Sequence, residues 1–154
     1  MGVGKSTVGP LLAQALGLDA IDLDAQIVEY TGMTVTALFS ERGEDGFRAV
    51  ERTLIHDSCL WEPHVLSLGG GALHTPGNLA QLRTAFDVIV LTASLPNIRA
   101  RLSNTARSTR PLWADVESLY WRRQPGYRAA GPNIDTDQLA PHQVVERILE
   151  VLAA

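Results

Sequence analysis

Short apolar runs alternate with longer segments of helical period along most of the chain. Four runs without regular polar alternation predict strands, at residues 20–23, 65–68, 88–91 and 133–136. Continuous apolar runs of this kind are typical of strands covered on both faces. Apolar positions three and four apart predict helices, at residues 8–16, 49–60, 97–102, 116–123 and 141–152. This alternation favours a parallel sheet with helices on both faces.

The segment at residues 103–115 interrupts the alternation. It is polar, contains Arg107 and Arg110, and lacks apolar periodicity. A loop of this length in a compact domain is commonly a lid over a functional site. We therefore predict a single α/β domain over residues 1–154 with a lid at about 103–115.

Composition restricts the class of function. The chain has 154 residues, 45% hydrophobic and 19% charged, which suits one globular domain. Its net charge of −4 argues against non-specific nucleic-acid binding, which depends on neutralising phosphates. Cys59 is the only cysteine, so no intrachain disulfide can form, as is usual in a reducing cytoplasm. No apolar run approaches the roughly 20 residues of a membrane span.

A glycine-rich turn opens the chain and leads directly into a predicted helix. Glycines allow backbone amides to point at an anion, and the helix start adds its positive dipole end. In the pattern G-x-x-x-x-G-K-[ST], Lys5 would reach the β and γ phosphates and Ser6 would bind Mg²⁺. The residues of this predicted nucleotide-binding turn are Gly2, Val3, Gly4, Lys5, Ser6 and Thr7.

The printed sequence contains neither the first glycine of that pattern nor the strand that normally precedes the turn. Met1 stands where turns of the type G-x-M-G-x-G-K-S-T have an internal Met. We therefore expect the natural protein to start roughly ten residues earlier, with a strand before the turn. The alternative is a glycine-rich segment that merely begins a helix.

Two carboxylates, Asp22 and Asp24, follow the first predicted strand. Alternation along a strand would point both side chains in the same direction, and ligands of parallel sheets gather at the carboxyl ends of strands. One carboxylate would then support Mg²⁺ and the other would meet a substrate hydroxyl. The alternative is a pair of solvated residues, or the cap of the next helix.

Taken in order, the motifs of the chain resemble those of the shikimate kinase family. Besides the turn and the acidic pair, the set comprises Phe47-Arg48-Ala49-Val50-Glu51, Gly69-Gly70-Gly71, Arg110-Pro111-Leu112 and Arg123-Gln124-Pro125-Gly126-Tyr127. The resemblance covers nearly the whole chain. It implies a P-loop fold like that of nucleoside monophosphate kinases, normally with five parallel strands, whose first and central strand would be absent here.

The resemblance also implies an activity and a site. The activity is phosphorylation of the 3-hydroxyl of shikimate by ATP with Mg²⁺, in aromatic amino-acid biosynthesis, by a cytoplasmic monomer. Lys5, Asp24 and Arg110 would be catalytic, with Asp24 binding the shikimate hydroxyls as a base and Arg110 closing on ATP with the lid. Ser6 would bind the metal directly and Asp22 through water. The further shikimate-binding residues would be Arg48, Gly70, Gly71 and Arg123, with the acceptor-binding helices at about residues 24–60.

The chemistry of these residues suits such a substrate. A planar guanidinium binds a carboxylate through two parallel hydrogen bonds, which Arg48 and Arg123 would provide. Glu51 lies three residues after Arg48 and would hold it in place; the alternative is a surface ion pair, worth at most about 1 kcal/mol. Glycines at residues 69–71 let a ligand touch the backbone, unless they form a plain flexible turn.

Several alternatives stay open. Gly126 stands where the family usually has Leu, and the arginine that stacks on adenine is Arg101 or Arg99. Arg107 would replace Arg110 as the lid arginine. Other functions compatible with the sequence are a different small-metabolite kinase, such as a gluconate kinase, and an ATP-binding protein without activity.

Overall fold

Four short strands form two parallel pairs in the computed structural model, which describes residues 2–104 and 115–154. Strand β1 (Asp19–Asp22) pairs with β2 (His64–Ser67), and β3 (Val90–Thr92) pairs with β4 (Asn133–Asp135). The predicted parallel α/β architecture is confirmed. Within the described residues no hydrogen-bonded strand joins β2 to β3.

Helices precede and follow the strands, and local signals explain their ends. Gly17 ends the first helix with a φ of 67°, and the Thr34 hydroxyl caps the third by accepting from the Ala37 amide at 3.2 Å. Pro141 opens the last helix, where a missing N–H is tolerated. The described helices are α1 (Lys5–Leu16), α2 (Leu23–Thr31), α3 (Val35–Ser58), α4 (Asn78–Leu82), α5 (Leu95–Ser103), α6 (Val116–Ala130), α7 (Pro141–Ala153) and the 3₁₀ helix Ala72–His74.

Helix α3 extends well beyond the predicted residues 49–60 and contains a break. Gly43 has φ 67° and ψ −174°, a conformation that favours glycine. The surrounding residues 41–46 are polar or glycine, so apolar periodicity could not reveal this part of the helix. The second part of α3 carries Arg48 and Glu51.

The acidic pair departs from the prediction. Strand β1 ends at Asp22, and Asp24 lies in the first turn of α2, so the expectation that strand alternation aligns the two carboxylates is wrong. Asp22 caps α2, because its carboxylate accepts a hydrogen bond from the Ala25 amide at 3.1 Å. Leu23 between them is fully buried, and the chain turns into a helix there.

Two hydrophobic clusters hold the strand pairs together. The first lies under α2 and α3, where Leu23, Ile27 and Phe47 are buried and residues flanking β2 and β3 pack against them. The second lies under α1 and α7, and it includes Val65 of β2 and Ile134 of β4. Side-chain packing on both faces therefore joins the pairs. No helix in the described ranges is long and apolar enough to span a membrane.

Truncation of Ile27 tests the first cluster. Ile27→Ala is expected to lower the free energy of unfolding by about 3 kcal/mol, because Ile27 is fully buried and the change leaves a cavity. The neighbouring Val28→Ala, at a position 38% exposed, is the control and should cost less than about 1 kcal/mol. Urea unfolding measures both; equal losses would contradict the packing described.

Candidate active site

The glycine-rich turn adopts the backbone shape that its sequence predicts. Gly2 and Gly4 have φ values of 67° and 97°, in the left-handed region that other residues avoid. Between them the Val3 side chain is buried against Ile98 and Leu102 of α5. Helix α1 begins immediately afterwards at Lys5, so the amides of its first turn are available to an anion.

A polar network holds this turn from behind. Arg101 Nη1 donates to the Gly2 carbonyl at 3.1 Å and to Thr136 Oγ1 at 2.9 Å, while its Nη2 donates to the Thr136 carbonyl at 2.8 Å. The Thr136 hydroxyl is in turn 3.3 Å from the Val3 carbonyl and 3.0 Å from the Thr92 carbonyl. The turn is thereby tied to the carboxyl ends of β3 and β4.

The two candidates for the adenine-stacking arginine have different surroundings. Arg99 forms an exposed ion pair with Glu117 at 2.6 Å. Arg101 is bonded to the phosphate-binding turn itself, which favours Arg101 as the residue beside a nucleotide. The sequence did not identify Thr136 as part of this network, because its hydrogen-bond partners lie more than 30 residues away along the chain.

A second group of residues surrounds the glycines that follow β2. A Cβ at Gly69 would lie 3.0 Å from Asp24 Oδ1, so the Asp24 carboxylate lies directly against the glycine backbone. A Cβ at Gly71 would overlap the Arg48 guanidinium. A larger side chain at either position would have to displace Asp24 or Arg48, so glycine suits both close approaches.

Arg48 is held by a buried carboxylate. Its Nη1 donates to both oxygens of Glu51, at 2.8 and 2.9 Å, and the Glu51 side chain is fully buried. Burial raises the pKa of Glu51, although the Arg48 guanidinium lowers it, and the nearby Asp24 charge adds to the increase. The interpretation of Arg48 and Glu51 as a surface ion pair is therefore wrong. The Arg48 side chain is 17% exposed, so part of it stays accessible.

Tyr127 connects α6 to the glycine turn, because its hydroxyl donates a hydrogen bond to the Gly70 carbonyl. Burial raises the pKa of Tyr127 despite the positive charge of Arg123, so the phenol keeps the proton that it donates. Arg123 lies one helical turn before Tyr127 on the same helix, so this bond also fixes the segment that carries Arg123.

The other predicted site residues lie near the glycine-rich turn at residues 2–7 or outside the described ranges. Ser6 is in the first turn of α1, and Asp22 ends β1. The described residues contain no group of three or more His, Cys, Asp or Glu side chains that could hold a metal ion. Arg107, Arg110 and nearly all of the predicted lid fall outside the described residues.

The arrangement can bind two anionic molecules and move a group between them. The turn at residues 2–7 suits a polyphosphate, and Arg48 with Arg123 suits a carboxylate. Asp24 lies on the acceptor side. Its carboxylate is against Gly69 of the glycine turn, and its charge is close enough to Glu51 to raise the pKa of Glu51. A carboxylate there can accept a proton from an acceptor hydroxyl.

Comparison with known proteins identifies what this chain is similar to. A family model described as shikimate kinase matches residues 1–153. The shikimate kinase of Sulfurihydrogenibium sp. (strain YO3AOP1) is 37% identical over 153 residues, which cover 97% of this chain and 91% of that protein. The crystal structure of shikimate kinase from Bacteroides thetaiotaomicron aligns with a TM-score of 0.90 at 31% identity, covering 100% of this chain and 94% of that one.

A structure with bound ligand is also similar. Shikimate kinase from Acinetobacter baumannii in complex with shikimate aligns with a TM-score of 0.92 at 31% identity, covering 99% of this chain and 88% of that chain. Family model, relatives and solved structures thus carry the same name over almost the full length compared.

Removal of Glu51 tests the buried ion pair. Glu51→Ala is expected to lower the free energy of unfolding by about 3 kcal/mol, because it leaves the Arg48 charge without its buried partner. Arg147 and Glu150 form a pair with the same spacing, but both are exposed, at 65% and 64%. Glu150→Ala is therefore the control and should cost under about 0.5 kcal/mol. Similar losses in urea unfolding would show that burial of Glu51 is unimportant.

Proposed function

The chain belongs to the shikimate kinase family and catalyses ATP-dependent phosphorylation of shikimate, and we propose that the residues described above divide this reaction into a donor side and an acceptor side. The observation that carries the proposal is the contact of Asp24 and Arg48 with the glycine turn, to which Tyr127 joins the helix that carries Arg123. The alternatives of a gluconate kinase and of an inactive nucleotide-binding protein are set aside, because the relatives share one name.

On the donor side, the turn at residues 2–7 binds the phosphates of ATP. Its amides and the α1 dipole face the phosphate oxygens, and Lys5 neutralises charge on the β and γ phosphates. The donors present suit Mg²⁺, since it prefers oxygen ligands and keeps several waters. Ser6 would bind it directly and Asp22 through water, and the ion would neutralise charge on the phosphates. Arg110, from the segment outside the described residues, would add a further positive charge there.

On the acceptor side, Arg48 and Arg123 bind the shikimate carboxylate. Glu51 orients the Arg48 guanidinium through its hydrogen bonds, and Tyr127 fixes the segment of α6 that carries Arg123 by its bond to the Gly70 carbonyl. Gly70 and Gly71 let the substrate approach the backbone without side chains intervening. Asp24 then binds the hydroxyl that attacks and accepts its proton as the phosphoryl group is transferred. Positioning and charge neutralisation supply most of the rate increase.

The cellular setting is also an inference from the family and the sequence. A single cysteine, Cys59, is consistent with a reducing cytoplasm. We infer that the protein acts there as a monomer, as its family resemblance implies. Sedimentation at working concentration would test the oligomeric state.

Arg123→Lys tests the carboxylate site. ADP release with ATP and Mg²⁺ should depend on shikimate, and the substitution should raise the KM for shikimate about tenfold or more, because one charge-assisted bond is lost. The KM for ATP should stay unchanged. Arg122→Lys is the matched control, since Arg122 is 65% exposed beside Asp115. Equal effects at both positions would contradict the assignment of Arg123.

Asp24→Asn tests the base. The change keeps the shape of the side chain but removes its ability to accept a full proton, so kcat should fall about 100-fold or more. Asp19→Asn is the control, at an exposed position on β1, and should leave kcat unchanged. A kcat for Asp24→Asn within about twofold of wild type would leave Asp24 as a binding residue only.

A further inference from the structure

His74 lies between the glycine turn and α6, and neither the sequence motifs nor the proposed reaction uses it. It ends the 3₁₀ helix that follows the turn, and its amide donates to the Gly71 carbonyl at 3.0 Å. Its ring meets the Tyr127 ring edge-on, with centroids 5.3 Å apart and planes at 78°. The rest of the His74 side chain is exposed. The ring thus contacts Tyr127 of α6 from the segment that follows the glycine turn.

Gly126 leaves the space that the imidazole occupies. A Cβ at this position would lie 3.0 Å from His74 Nε2 and 3.5 Å from Cδ2. The φ of Gly126 is not in the left-handed region, so the backbone does not demand glycine. Glycine inside a helix costs about 1 kcal/mol relative to alanine. The close approach of the His74 ring is therefore the local feature that favours a residue without a side chain at position 126.

The imidazole is suited to packing against an aromatic ring. Partial burial, together with the charge of Arg123, lowers the pKa of His74, and Arg48 and Arg122 act in the same direction. The ring is therefore neutral near pH 7, and it can lie against Tyr127 without bringing another positive charge to the site.

From this geometry we propose that His74 is a positioning residue of the acceptor site. By filling the gap at Gly126, it holds the part of α6 that carries Arg123 and Tyr127 against the glycine turn. Tyr127 then keeps its hydrogen bond to the Gly70 carbonyl, and Arg123 keeps the orientation that receives the carboxylate. The proposal rests on the proposed function of Arg123, and it makes His74 and Gly126 a coupled pair.

A double-mutant cycle tests the coupling. His74→Ala should raise the KM for shikimate about threefold, through loss of one aromatic contact, and Gly126→Leu should raise it about tenfold by displacing the imidazole. In the double variant the leucine occupies the vacated space, and the KM should return to within about threefold of wild type. A double variant whose effect equals the product of the single effects would overturn the proposal.

A milder change separates positioning from stability. Gly126→Ala should leave the melting temperature unchanged or raised, because alanine favours the helix. It should still raise the KM for shikimate by about twofold or more, since the new Cβ must push His74 aside. The KM for ATP should not change. A shikimate KM equal to that of wild type, or a matching change in the ATP KM, would argue against a positioning role.

Controls distinguish the proposed role of His74 from the proposed function on which it rests. His56→Ala changes an exposed histidine of α3 and should alter neither KM. Wild-type turnover with shikimate, together with an additive cycle, would overturn the role of His74 and leave the kinase assignment intact. Absence of shikimate-dependent ADP release in the wild type would overturn both.

Discussion

The acceptor side of the site depends on one buried ion pair. Glu51 is fully buried, and both of its oxygens accept hydrogen bonds from Arg48 Nη1. Burial of a carboxylate is costly unless it is paired, so this part of α3 is stable only with the guanidinium in that position. The Arg48 guanidinium also lies directly against Gly71. The pair therefore links α3 to the turn that the substrate would approach.

The donor and acceptor sides are built on different halves of the molecule. The phosphate-binding turn is tied through Arg101 and Thr136 to the ends of β3 and β4, whereas Asp24 and the glycines at residues 69–71 follow β1 and β2. Side-chain packing on both faces joins these halves, and α6 brings Arg123 to the glycine turn. The distance over which a phosphoryl group would move is thus determined by packing and not by a continuous ladder of hydrogen bonds.

Local sequence signals predicted the strands and several of the helices. Apolar runs located all four strands to within two residues, and glycine-rich spacing predicted the turn that needs φ values of 67° and 97° at Gly2 and Gly4. The arginine–glutamate pair was expected because its members lie one helical turn apart. The spacing did not predict that the pair is buried, because burial depends on which segments pack over α3.

Contacts between distant segments could not be predicted in the same way. Thr136 meets Val3 across 133 positions, and Tyr127 meets Gly70 across 57. His74 and Gly126 fit together only because α6 crosses the glycine turn. The helical position of Asp24 was missed for a different reason. A D-x-D spacing is equally compatible with a strand and with a helix start, and here β1 ends at Asp22, whose carboxylate caps the helix that contains Asp24.

The close approach of Gly71 to Arg48 has a consequence for how this protein can vary. A side chain at residue 71 would overlap the Arg48 guanidinium where it now lies, and a guanidinium displaced from Glu51 would leave that carboxylate buried and unpaired. A change at residue 71 is therefore felt at Glu51, which is distant from it in the sequence. The small size of this one residue is thereby tied to the stability of the buried pair.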